Sequence, residues 1–119
     1  MRNDRENIIV EKTFQFSLKI ITYCEGLLEL KKFSMADQIF RSGTSIGANV
    51  REAQNAESKK DIIHKMKISA KEADEVDYFL PLCKESEFYP DPGAIFHEVK
   101  EIQLILSKSI ASAKKNISN

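Results

Sequence analysis

"RSGTSIGANV", residues 41–50, is the passage on which the fold turns. It holds two of the chain's four glycines, three hydroxyl residues and an asparagine, with helical-looking sequence on both sides. None of these is a strong helix former, so the passage reads as a loop unless its order says otherwise. Placed on a helix, residues 35–54 sort into faces. Met35, Ile39, Ser42, Gly43, Ile46, Val50 and Ala53 share one side, while Gln38, Arg41, Ser45, Asn49 and Glu52 form a polar stripe along its edge. That order predicts a helix made small on purpose. Two mid-helix glycines cost about 1 kcal/mol each against alanine, and a close neighbour compensates. Gly43 and Gly47, four residues apart, thin the surface for close helix packing, helped by Ser42, Ala48 and Ala53.

Working outward, the pattern predicts four helices near residues 6–31, 34–55, 58–86 and 92–116. The three prolines fall in the second half, and no alternating β-branched run suggests a sheet. Ser34 is positioned to cap the second helix, with Asp37 three residues on, and Ser58 the third, with Asp61 in the same relation. In "YPDPG", Asp91 reads as an N-cap and Pro92 as the first helical residue. Lys114 and Lys115 suit the last turn of the fourth helix. Pro81 is expected to kink the third helix and free the carbonyl of Asp77, a residue near that helix's inner line. Loops this short make successive helices antiparallel, giving an all-α, up-down-up-down four-helix bundle as one domain over residues 1–119.

The first helix carries two apolar seams. Val10, Phe14, Ser17, Ile21, Cys24 and Leu28 keep heptad spacing, and so do Ile9, Phe16, Ile20, Tyr23, Leu27 and Leu30. An ordinary bundle helix needs one stripe. The first seam is expected to face the interior and the second to face another copy of the chain, joined by Ile68, Phe79 and Leu82. A merely wide core is the plainer reading of the same pattern; the doubled seam favours a homo-oligomer. Inner lines are also expected through Ile62, Met66, Ser69, Ala73, Val76 and Leu80, and through Ile95, Val99, Ile102, Leu106, Ile110 and Ala113.

Chemistry is sparse. "GTSIG" matches the nucleophile-elbow pattern, but that motif needs a strand before the serine and a large sheet around it, whereas Ser45 falls mid-helix. "DIIH" (Asp61, His64) imitates half of a di-iron motif; His97 has no matching acid, and His64 lies opposite its helix's inner line. No P-loop, dinucleotide or zinc-finger spacing occurs. Cys24 and Cys83 read as free thiols in packed helices. Eighteen basic and eighteen acidic residues cancel, so no chain-wide charge advertises nucleic acid. Lys59, Lys60, Lys65, Lys67 and Lys71 form a local excess that reads as solvated surface. The longest charge-free stretch, residues 42–50, is too short and polar to cross a membrane, and "MRNDRENIIV" lacks a secretion signal's apolar core. A cytoplasmic protein is expected, with no metal and no cofactor.

With these residues in view, the chain resembles the bacterial four-helix-bundle proteins encoded in intervening sequences of 23S ribosomal RNA genes, a group that includes the accessory protein of diversity-generating retroelements. The resemblance is carried by "FRSGTSIGANVREAQNAESKKDIIHKMKISAKEADEVDYFLPL", above all Arg41, Ser42, Ser45, Asn49 and Glu52, then Glu72 and Glu75 in "AKEADEVDYFL". It implies an antiparallel bundle, a ring of five subunits and no enzyme activity. For the retroelement relative it implies nucleic-acid and reverse-transcriptase binding through a basic surface, from which this neutral sequence departs. The expected partners are copies of the chain itself and RNA or an RNA-associated protein.

Overall fold

The first two connections, residues 30–32 and 55–58, are too short for anything but reversal, and the third, residues 86–94, reverses the chain again. The computed structural model describes residues 4–118, with side chains from residue 8 to residue 116. Its helices are α1 (Asp4–Glu29), α2 (Phe33–Gln54), α3 (Lys59–Glu85) and α4 (Ile95–Ser118), and the described residues contain no strand. They make an antiparallel, up-down-up-down rod of 51 × 22 × 21 Å. Each helix packs on two others around a square, and neither diagonal pair brings Cα atoms within 8 Å. The α1–α4 side is the loosest and is bridged by Lys12–Glu101 and Lys19–Glu98 ion pairs, both 2.8 Å.

The helix boundaries show which local signals won. α1 closes with paired backbone bonds, Lys32 N–H to Leu27 C=O and Lys31 N–H to Leu28 C=O, both 2.9 Å. Lys31 takes the left-handed conformation (φ 61°) that glycine usually fills in this motif. That tight reversal leaves the Lys32 carbonyl free to accept from Ala36 N–H. The second helix therefore begins at Phe33, and Ser34 lies inside its first turn, not at its cap. Ser58 does cap α3, accepting from Asp61 N–H at 3.1 Å. Asp91 does not cap α4. Its Oδ1 accepts from Gly93 N–H at 2.8 Å in a local turn, Gly93 has a positive φ, and the helix starts two residues later. α3 runs on through Pro81 to Glu85.

The core is apolar and closed. Phe16, Ile20, Leu27, Ile39, Ile46, Val50, Val76, Leu80, Val99, Ile102 and Leu106 are all essentially inaccessible. The inner lines expected on α2, α3 and α4 face this interior, with Ile62 and Ile110 packed at its margin.

α1 departs from expectation. Its buried residues are Ile9, Thr13, Phe16, Ile20, Cys24 and Leu27, spaced to follow the 3.6-residue turn of a straight helix and not a strict heptad. Ile9 and Leu27 are eighteen residues apart, five full turns. Thr13, which belongs to neither expected seam, joins this buried line with its hydroxyl donating to the Ile9 carbonyl at 2.8 Å. Ile9, Phe16, Ile20 and Leu27, expected to meet another copy, are thus enclosed within one chain. Phe14, Ile21 and Leu28, expected inside, are exposed.

Candidate functional site

The polar residues of the opening passage divide between two jobs. Ser42 is buried and its Oγ donates to Glu75 Oε2 across the α2–α3 contact at 2.9 Å. One turn away, buried Ser69 donates to the Ile46 carbonyl at 2.8 Å. Glu72 lies beside Glu75, and its carboxyl is held above the usual range, first by burial and then by the neighbouring Glu75 charge, with Lys71 opposing. Farther along, Lys65 Nζ meets Glu52 Oε1 at 2.9 Å. Ser42, Ser69, Glu72 and Glu75 therefore form a short polar seam that fixes the register of α2 on α3, since each buried hydroxyl has one acceptor at one position.

The remaining motif residues stay outside the seam. Arg41 is exposed and, among the described residues, its ion pair is with Asp37 on its own helix, at 3.3 Å. Asn49 donates to the Ser45 carbonyl one turn back. Ser45 sits mid-helix with no preceding strand, so the nucleophile-elbow geometry is not built. The two glycines face α1. A Cβ at Gly43 would lie 2.7–2.9 Å from Ile20 side-chain carbons, and one at Gly47 would lie 3.3 Å from the Thr13 carbonyl oxygen.

Of the other residues expected at a subunit contact, Tyr23 is half-buried and donates to the Pro90 carbonyl at 2.7 Å, tying the α3–α4 loop to α1. Phe79 packs at the core margin and Ile68 is half-buried. Leu30 and Leu82 are exposed. What sequence periodicity missed is the outward row on α1: Phe14, Leu18 and Ile21. Together with Thr44, Gly47, Ala48 and Arg51 of α2 they line a groove of about 330 Å³. Arg51 lies 6.0 Å from the Phe14 ring centroid, and Phe40 is exposed on the same helix. The signal was present in the first seam, which holds Phe14 and Ile21; the choice of which seam faces in depended on Thr13.

Cys24 and Cys83 are buried and free. They belong to α1 and α3, a diagonal pair, so their Cα atoms are too far apart for a disulfide. Burial pushes the Cys24 thiol up to about 11, with a smaller contribution from Cys83. Among the described residues no group of three or more His, Cys, Asp or Glu side chains is placed to hold a metal ion. No described helix is long and apolar enough to cross a membrane.

Charge is strongly sorted along the rod. Residues 59–71 and 102–119 carry eight lysines against one aspartate, while residues 72–101 carry nine carboxylates against two lysines. Antiparallel pairing sets the two basic segments side by side at one end of the α3–α4 face and gathers the acidic residues at the other. Lys67 and Lys114 come close enough that Lys114 is held below the usual lysine range by its neighbour. The sequence's neutral total concealed this basic surface.

Together these features define an all-α four-helix bundle in which the buried hydroxyls of Ser42 and Ser69 bond across the α2–α3 contact. The family model for 23S rRNA-intervening sequence proteins matches residues 5–112, and the chain belongs to that family. It is similar to a crystallised protein of unknown function from the S23 ribosomal protein family of Bacteroides thetaiotaomicron. The two share 37% identity with a TM-score of 0.84, over 90% of this chain and 98% of that one. No curated protein matches this chain.

Proposed function

We propose that this chain is a non-enzymatic scaffold that assembles with copies of itself through the outer α1–α2 face. The observation that carries the reading is the row Phe14, Leu18 and Ile21, exposed on α1 where the three line one groove with α2. Three large apolar side chains clustered in one groove mark an interaction surface more often than chance exposure. Gly47 and Ala48 flatten the α2 side of the groove, so a partner helix would approach closely. Arg51 at its rim supplies a polar border of the kind found around apolar interface centres.

A ring of five copies, in the cytoplasm of a bacterium, is the form of assembly that the family resemblance suggests. The bacterial origin of the similar crystallised protein supports that setting. In this reading the Ser42–Glu75 seam keeps each subunit in one register so that the outer face is presented uniformly.

Native mass spectrometry tests the reading. The wild type should give a mass near five times 13.6 kDa, and Phe14→Glu with Leu18→Glu should give a helical monomer. A wild-type monomer at micromolar concentration would overturn the proposal, as would a double variant that assembles like the wild type.

A further inference from the structure

We infer that the outer stripe of α3 pairs antiparallel with the same stripe of a second copy, about a two-fold axis, with the lysines of each copy on the acidic half of the other. This goes beyond the assembly reading, which uses the α1–α2 face, and does not rest on it. Lys60, Lys67, Lys71, Asp74, Tyr78 and Glu85 recur at spacings of seven, four, three, four and seven residues, which keeps them in one line along a helix. All six are exposed, and the buried line Met66, Ser69, Ala73, Val76 and Leu80 occupies the other side of α3. The charge of the stripe reverses half-way, from three lysines to Asp74 and Glu85 with Tyr78 between them. Among the described residues, Lys60, Lys67, Lys71, Asp74 and Glu85 take part in no ion pair.

The order of these residues selects the partner. Lys71 and Asp74, Lys67 and Tyr78, and Lys60 and Glu85 are each placed symmetrically about one point, midway between Glu72 and Ala73. In a two-fold contact residue i of one copy meets residue j of the other, and j meets i. An antiparallel pair centred on that point therefore makes each of the three contacts twice. Lys71 faces Asp74 of the second copy, Lys60 faces Glu85, and Lys67 lies over the Tyr78 ring, a cation on an aromatic face. Ile63 and Leu82 share the same centre. Leu82 is 39% exposed and Ile63 half-buried, and they add an apolar margin beside the line. Asp74 is already oriented, because Gln103 of α4 donates to its Oδ1 at 2.8 Å, leaving the other oxygen for Lys71. A parallel pair would set lysine on lysine and carboxylate on carboxylate. An unrelated partner places no such demand on the order of charges; a copy read backwards does. Exposed ion pairs are weak singly and are screened by salt. The pairing therefore forms at hundreds of micromolar protein in low salt, and at micromolar protein it leaves the mass of the chain's assembly unchanged.

Sedimentation equilibrium of the full chain at hundreds of micromolar tests the inference, in about 20 mM and about 500 mM salt, which bracket weak and strong screening. The association constant should fall at least tenfold from the first to the second. Lys71→Glu alone, and Asp74→Lys alone, should each weaken the low-salt pairing at least tenfold, because like charges then face each other at the centre. An equimolar mixture of those two variants should pair as the wild type does, and so should one chain carrying both changes. A merely structural effect on α3 would not be rescued by mixing two separate chains. Absence of salt-sensitive association overturns the inference, as does a single variant that pairs like the wild type or a mixture that fails to pair. Association that persists unchanged in the higher salt overturns it too and assigns the contact to apolar surface. The same series on Phe14→Glu with Leu18→Glu should show the same salt-sensitive dimer, so a failure of the α1–α2 assembly reading and a failure of this pairing are read separately.

Discussion

Gly43 of α2 lies directly against Ile20 of α1: a methyl group placed on Gly43 would sit 2.7 Å from Ile20 Cγ2. Ile20 is fully buried, so it has no solvent to retreat into. Alanine at position 43 gains about 1 kcal/mol of helix propensity, but overpacking a tight core contact costs about 1–3 kcal/mol. Gly43→Ala should be neutral to destabilising, and Gly43→Leu should unfold the bundle or sharply lower its melting temperature. At Gly47 the nearest atoms are at 3.3–3.4 Å, so Gly47→Ala should lie close to the wild type. Melting by circular dichroism checks the order; a stable Gly43→Leu protein would show that the two helices are not held at this distance.

Ile20 and Ile21 are neighbours in sequence with opposite surroundings, the first enclosed and the second 37% exposed. Ile20→Ala should cost about 2–5 kcal/mol, as for deletion of buried methyl groups. In the monomer Ile21→Ala should stay within about 0.5 kcal/mol of the wild type, as surface substitutions do. Urea denaturation at a concentration where the chain is monomeric measures both. Equal losses would put both seams of α1 inside the bundle.

Those two residues also show how far the sequence could be read. The helices, their antiparallel order, the inner lines of α2, α3 and α4 and the packing role of small residues follow from periodicity and turn chemistry, and all are legible. Ser42 and Glu75 are both legible as motif residues, but nothing in their spacing says that they meet, because contact between helices depends on rotation about each axis. The same ambiguity hid the true inner face of α1, where two seams of similar apolarity compete. A threonine decided it, and Thr13 is buried only because its hydroxyl bonds back to its own helix. The basic surface was legible only in its α3 half, residues 59–71, for a different reason: a sum over the chain discards position, and antiparallel pairing brings together two segments more than thirty residues apart.

The Glu72 carboxyl predicts a pH dependence with a definite sign. Its pKa in the folded chain is raised, by burial first and by Glu75 second. A group whose folded pKa lies above its unfolded value contributes stability that is complete below the unfolded pKa, about 4.3 for glutamate, and lost as pH rises through the folded one. The wild type should therefore lose stability relative to Glu72→Gln as pH climbs from about 4 through the raised value. At neutral pH the variant should be at least as stable, with a flatter profile between these limits. Thermal melts of the two proteins across that range provide the check. A constant difference at every pH would mean that Glu72 titrates normally in the fold.

The two thiols offer a final test that bears on the core and on its dynamics together. Only the thiolate reacts with alkylating reagents, and Cys24, raised to about 11 and buried, holds almost none at neutral pH. Cys83 is also buried and also raised, by burial first, with a hydrogen bond to Tyr23 opposing. Native protein should resist iodoacetamide at neutral pH for far longer than a small-molecule thiol, and denatured protein should take up two labels per chain. Mild oxidants should yield no intramolecular disulfide, because α1 and α3 keep their Cα atoms beyond 8 Å, outside the usual limit of about 7 Å for a bridge. Labelling in the native state then reports opening of the bundle, so its rate should rise in Ile20→Ala in step with that variant's lost stability. Rapid labelling of the wild type, or a disulfide formed without unfolding, would mean that α1 and α3 approach each other more closely than the square packing allows.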